Sequence, residues 1–505
     1  MTRRHLACAA LTVLLGVAVA AHPSTNARGA LSNVEGQRQA GNGGEEGADS
    51  SNMQLVGYND LQGRSAYQPE IKRQGDRWIA YIGHHGGTAI NPLTGREEPH
   101  GTSIVDVTDP KNPKYLAHIP GQPLGPGAGG AGVASESGGA QQVRICSGAT
   151  LPRGDRSKFY LLRAFGNTAG SGHEMWDVTD PAKPSRITVI VSGLTGTHKS
   201  WWECDTGIAY LVSGQPGWRV PRMTKIYDLS DPTRPVFIRD FGLHGQQPGS
   251  TGTPPGDNGL HGPVSTGPQG NRVYFAYGYV REGVVQIVDR EKLLKGPAEP
   301  TEANLLYPQI SRMDLPPNVG AHNVFPLLRM PIAEFAKEKD NVRDMLVIVD
   351  EATGRDCATS PRAMMWMADI TTETRPFGVA NWTIPEASGN YCARGAGRFG
   401  THSTHENFTP IYYNRIMFVA HFNAGVRAVD VRDPFHPKEI GYYIPAPTAR
   451  TACAAGRPGD PCVRGIQTNN VEVDDRGYIY GADRAGTGLH ILELTGAARS
   501  VANFR

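Results

Sequence analysis

The sequence predicts an all-β fold, a seven-bladed β-propeller of four-stranded blades whose ring is closed by an N-terminal strand. The first observation behind this is a recurring phrase: an apolar strand ending in Asp, an Asp-Pro turn, a second Pro, then another apolar strand. It reads SIVDVTDPKNPKYLAHI from Ser103, EMWDVTDPAKPSRITVI from Glu174, TKIYDLSDPTRPVFIRDF from Thr224 and VRAVDVRDPFHPKEIGYYI from Val426. Strand and tight turn alternate without helical periodicity, and the unit returns after spacers of tens of residues, which is the signature of propeller blades. The second is composition: 62 Gly, 38 Pro and only 19% charged residues in a chain of 505 favour a loop-rich all-β protein. The third is a final unit that stops one strand short, matched by an unassigned strand ahead of the first unit.

The turn chemistry assigns the repeated phrase to the outer hairpin of a blade. In Asp109-Pro110, Asp180-Pro181, Asp231-Pro232 and Asp433-Pro434 the Asp can accept backbone N–H bonds while Pro presets φ for the next corner, so the chain reverses there. The second Pro (Pro113, Pro184, Pro235, Pro437) then stands at the entry to an edge strand, where a missing N–H is tolerated. Upstream lie the second strands: WIAYIGHH from Trp78, KFYLLRAF from Lys158, IAYLVSG from Ile208 and IMFVAHF from Ile416. Ahead of several of these comes a short segment with His near its start: THKSWWE from Thr197, LHGPVS from Leu260, AHNVFP from Ala321 and THENF from Thr404. These read as innermost strands. Inner strands beginning near Gln68, Gln142, His198, His261, His322, His405 and Asn469 give seven blades, of which the fourth and fifth are degenerate. The last unit, NNVEV, YIYGADRAG and LHILEL, lacks its outer strand, and MQLVGYNDL from Met53 supplies it by pairing with Leu489 to Leu494.

With the strings in place, the chain resembles the LVIVD-repeat proteins, whose namesake occurs verbatim at Leu346 to Asp350. The resemblance covers most of the chain after Met53 and implies a β-propeller. It implies no particular reaction, because a propeller hosts unrelated activities.

The N-terminus sets the expected domain organisation. Arg3 and Arg4 precede the apolar run LACAALTVLLGVAVA, and small residues around Ala18 to Ala21 offer a cleavage site, so residues 1–21 read as a secretory signal peptide. Residues 22–52, rich in Gly, Glu, Asn and Ser, read as a flexible linker, and 53–505 as a single propeller domain. The mature chain is expected to be exported, periplasmic or secreted, with no membrane span. A formal net charge of +2 and the lack of a basic stripe exclude nucleic acid as the expected partner. Export suits the cysteines: Cys8 leaves with the signal and six remain to pair. Cys453 and Cys462 flank a Gly/Pro-rich loop, Cys357 and Cys392 bracket the outer strands of the fifth blade, and Cys146 and Cys204 fall in neighbouring inner strands.

Chemistry is expected at histidine. His198, His261, His322 and His405 begin four successive inner strands, and side chains at that position converge on the propeller axis, where neutral imidazoles can hold copper, iron or zinc. A second tier comprises His84, His85, His402 and His421, with Arg163, Asp350 and Asp483 at the ends of second strands. Glu406, Asp350 and His421 are the candidate catalytic groups, since a carboxylate can orient an imidazole or act as a base. His100, His118, His173, His244 and His490 read as loop or surface residues. A His-lined propeller is similar in outline to carotenoid-cleaving dioxygenases and to copper-dependent methanethiol oxidases, although neither group's wider pattern occurs and no catalytic residue carries over. Two functions follow: a metal-dependent oxidoreductase or hydrolase acting on a small molecule, or a non-catalytic scaffold whose propeller face binds a protein or a cell-surface polymer.

Overall fold

The computed structural model describes residues 47–123, 135–256, 259–279, 281–332, 342–353, 363–387, 397–453 and 462–504. These residues form seven antiparallel sheets of at least four strands, one per blade, and a separate hairpin of Thr88–Asn91 and Arg96–Pro99. The inner strands are Ala66–Gln74, Val143–Ser147, a split Gly196–Thr197 and Trp201–Trp202, Leu260–Ser265, Asn323–Pro331, Ser403–Thr404 and Thr468–Val473. The expected signal peptide and most of the expected linker, together with Cys357 and Cys392, lie outside the described residues.

Each Asp-Pro corner is built as its chemistry requires. The side chains of Asp109, Asp180, Asp231 and Asp433 accept from the N–H two residues on, at 3.0–3.1 Å. The Asp closing the third strand of each of these four blades repeats the device, as with Asp106 and Thr108 N at 2.9 Å. Just upstream, the third-to-fourth strand pairing carries a register shift in every blade, for example at Ile104/Val105, Ile226/Tyr227 and Ala428/Val429. A bulge at the same place in each sheet raises the local twist that a blade needs. The fourth blade departs from the pattern: its third strand, Val284–Asp289, leads into two short helices, Arg290–Lys295 and Glu302–Leu306, before the outer strand Gln309–Asp314. Asp289 caps the first of these helices, accepting from Lys292 N.

The N-terminal segment closes the ring. Met53–Asn59 pairs antiparallel with Leu489–Leu494, from Met53↔Leu494 to Asn59↔Leu489. One residue ahead of it, within the stretch expected to be a tether, Asp49–Ser51 adds a fifth strand to the sixth blade, against Tyr442–Ile444. One continuous segment therefore caps the outer edges of two blades, satisfying ladder groups that would otherwise stand open. Gly57 is required here, because a Cβ would lie 1.9 Å from the Pro110 carbonyl oxygen of the first blade's corner.

Apolar cores lie in the wedges between blades rather than in one central mass. The LVIVD string shows why its residues are apolar on both faces. Met345, Val347 and Val349 pack with Met417, Val419 and Val429 of the sixth blade. Leu346 and Ile348 pack the other way, with Tyr274, Ala276 and Ile287 of the fourth. Disulfides join Cys146 to Cys204, which links the inner strand of the second blade to the third blade, and Cys453 to Cys462. Among the described residues no helix is long and apolar enough to cross a membrane.

Candidate metal centre

The innermost strands enter the axis at one end of the ring, and their first residues set the site. His322 stands one residue ahead of the ladder pair Asn323↔Val349, with its N–H bonded to Val349 O. His402 stands one residue ahead of Ser403↔Ala420, with its N–H bonded to Ala420 O. His261 is the extra residue of a bulge between Leu260 and Gly262, a device that re-aims a side chain. His198 lies in the break between the two halves of the third blade's inner strand. The four imidazoles form a chain. His198 Nε2 is 2.7 Å from His261 Nε2, the ring centroids of His261 and His322 are 3.7 Å apart, and those of His322 and His402 are 4.2 Å apart. Tyr67 bridges the arc, with its ring 5.0–5.9 Å from those of His85, His198 and His402.

A carboxylate completes the cluster. Glu351 follows the LVIVD string directly, and its oxygens lie 3.9 Å from His322 Nε2 and 3.8 Å from His402 Nε2. One ligand atom each from His261, His322 and Glu351 can be chosen so that all three lie within 4.8 Å of one another. This is a buried His/His/Glu cluster able to hold a transition metal. Burial, followed by the charges of neighbouring histidines and arginines, holds His198, His261, His322 and His402 well below the usual imidazole pKa, so each ring is neutral and keeps one unprotonated nitrogen. Burial raises the Glu351 carboxyl, against the opposing pull of Arg398 at 2.9 Å. His322 is fully buried, and among the described residues neither of its ring nitrogens has a hydrogen-bond partner. His402 is oriented by the bond between its Nδ1 and Asn469 O, which turns Nε2 toward Glu351.

Beside the cluster opens a cavity of about 370 Å³, lined by Tyr67, His198, His261, Glu351 and His402 and by Glu136, Arg222, Tyr279, Arg398 and Arg484. Further along the axis the inner strands contribute a layer of buried polar groups. Lys199 Nζ donates to Ser403 Oγ at 3.0 Å, and Asn470 donates to Gln68 and Ser403. Beyond this layer a second, smaller hollow of about 200 Å³ is lined by Glu70, Arg144, Trp201, Glu406, Phe408 and Glu472.

Several expected positions fall elsewhere. His405 lies outside the arc: its ring packs on Phe325 and Phe418, and its Nδ1 accepts from Phe418 N at 3.2 Å. The sixth blade's inner strand is only two residues long, and register places His402, three residues earlier, where His405 was expected. Glu406 is at the far end of the channel, paired with Lys199 at 2.7 Å and with Arg144. Asp350 turns away from its neighbour Glu351 to accept from Trp366 Nε1 at 3.1 Å, and burial pushes its carboxyl up to about 8. His85 joins the arc through Tyr67, whereas His84 bonds Ser103 Oγ at 2.8 Å and His421 packs against Phe399. Arg163 is bound to Glu174 at 2.6 Å, and Asp483 caps the N–H groups of Gln467, Ala485 and Thr487. His100, His118, His173 and His490, expected in loops or at the surface, are all buried: His173 meets Val212 of the third blade and His490 faces Tyr443 of the sixth, whereas His100 and His118 bond His85 O and Pro99 O within the first blade. The sequence reading missed Glu351, Tyr67 and the three arginines. Glu351 was legible in principle, since alternation puts it and Asp350 on opposite sides at the end of one strand. No protein-family model matches the chain, and no curated protein matches it in sequence.

Proposed function

We propose that this chain is an exported β-propeller of the LVIVD-repeat type that holds a transition metal on its axis and uses it to oxidise or hydrolyse a small molecule. His261, His322 and Glu351 are the core of the donor set, with His198 and His402 adjoining. The observation that carries the proposal is His322, a fully buried imidazole whose two nitrogens are unpartnered among the described residues and face a buried carboxylate. A histidine kept for packing would bond its ring nitrogens, since a buried polar atom without a partner costs about 1–3 kcal/mol. Two imidazoles and a carboxylate suit zinc or ferrous iron, and the adjoining pair extends the set toward copper. Spacing supports the same reading: the 2.7 Å between His198 and His261 nitrogens is shorter than the separation of about 3.3 Å between two nitrogens on one tetrahedral metal, so a small outward shift would seat an ion.

Elemental analysis of the mature protein purified from its export compartment, beside a His261→Ala/His322→Ala variant, tests this. Near-stoichiometric copper, iron or zinc that is absent from the folded variant is the expected result. No metal in either protein, with both equally stable, would refute the metal reading and leave a scaffold that binds a protein or polymer.

A further inference from the structure

We infer that the axial cavity takes a small organic carboxylate, anchored by Arg222; this rests on the metal reading above and names the class of molecule presented to that centre. Three guanidinium groups line the cavity, Arg222, Arg398 and Arg484, against two carboxylates, Glu136 and Glu351. Arg484 bonds Glu136 and Arg398 bonds Glu351, so two of the three cations are neutralised within the wall. Three positive charges less two negative ones leave one, and it is Arg222. Among the described residues the Arg222 side chain has no ion pair and no hydrogen bond, and its guanidinium carbon lies 5.8 Å from the ring centroid of Tyr279.

The backbone fixes where that charge stands. Leu260 N donates to Arg222 O at 2.9 Å, one residue before His261. Gly259 crosses so closely that a Cβ would come within 2.4 Å of the same oxygen. Arg222 is therefore clamped to the strand that carries a metal-site histidine, near enough that its charge disfavours protonation of His198, His261 and His322. A half-buried guanidinium held against an aromatic face, with no counter-ion among the described residues, offers its forked donors to a planar oxyanion. Without the metal the described lining carries one uncompensated charge, which matches a monocarboxylate better than a phosphate dianion, and a bound divalent ion would add to its attraction for any anion. Tyr67 and Tyr279 supply aromatic walls, and about 370 Å³ is room for a small molecule reaching from Arg222 to the imidazoles.

The test uses benzoate, with benzamide as its uncharged counterpart and inorganic phosphate as the alternative anion. Calorimetry on metal-free protein is paired with cobalt(II) absorption on loaded protein. Saturable benzoate binding is expected in both, with benzamide and phosphate much weaker. Arg222→Gln should weaken benzoate by at least about tenfold, and Arg222→Lys should fall between. Equal benzoate affinity in wild type and Arg222→Gln, preference for phosphate, or no saturable benzoate binding would each overturn the inference. Should Arg222→Gln fail to fold, the benzoate to benzamide ratio on wild type decides the matter. Failure of cobalt to bind would refute the metal reading alone, because the calorimetric arm reads the Arg222 site without metal.

Discussion

Glu406 stands at the far end of the channel as a buried carboxylate between two cations, Lys199 and Arg144. Its Oε1 is 2.7 Å from Lys199 Nζ and its Oε2 bonds Arg144, with all three groups buried. Burial lowers the Lys199 pKa, and Glu406 is the largest influence opposing this. Glu406→Gln leaves that ammonium in the channel with no carboxylate of its own, whereas Arg144 keeps Glu70 at 3.1 Å. Removing one partner of a buried pair costs about 3–5 kcal/mol, and loss of the Lys199 proton sets the lower end. Changing Lys199→Met in the same chain removes the orphan, so the double variant should recover about 1.5–3 kcal/mol relative to additivity. Denaturant titration of the four proteins, followed by circular dichroism, measures the coupling, and metal content of each serves as the control. A Glu406→Gln loss below about 1 kcal/mol, or loss of metal from a Glu406 variant of unchanged stability, would refute this placement and return Glu406 to the metal site.

Other expectations follow from burial and topology. Cys146 and Cys204 are 58 residues apart and Cys453 and Cys462 only 9, so loop-closure entropy predicts losses of roughly 4 and 2.5 kcal/mol when each pair is changed to Ser. Equal effects in denaturant titration would show that the entropic account fails here. His173 is buried with its Nε2 3.2 Å from Val212 O, and burial holds its pKa down to about 3. Its contribution to stability is complete above the unfolded pKa of about 6.5 and is lost as pH falls, by about 2 kcal/mol at pH 5. Wild type should therefore lose about that much more stability than His173→Gln between pH 7.5 and 5. Parallel pH profiles of the two proteins would contradict the buried, neutral assignment.

The blade count and the ring closure could be read from the sequence because both rest on local chemistry. An Asp-Pro corner dictates its own turn, and Met53–Asn59 alternates as an edge strand must, so the partner at Leu489–Leu494 followed from the missing strand. The site was only half legible. His198, His261 and His322 were found because they share an offset from the start of their strands. His402 was displaced by His405 because a two-residue strand gives the register no room to show itself in a sequence pattern. Glu351, Arg222 and Tyr67 come together from the fifth, third and first blades, and only the closed ring puts them side by side. His173 was misjudged for a related reason: it lies against Val212 of the next blade, a neighbour that alternation along one strand does not reveal.

A metal on the propeller axis would be held by His261, His322 and Glu351. Anomalous diffraction at the absorption edge of whichever metal the purified protein contains tests it most directly. One peak is expected on the axis, with His261, His322 and Glu351 each contributing a ligand atom at about 2.0–2.2 Å. A peak elsewhere in the chain, or none among these residues in metal-soaked crystals that diffract well, would contradict it.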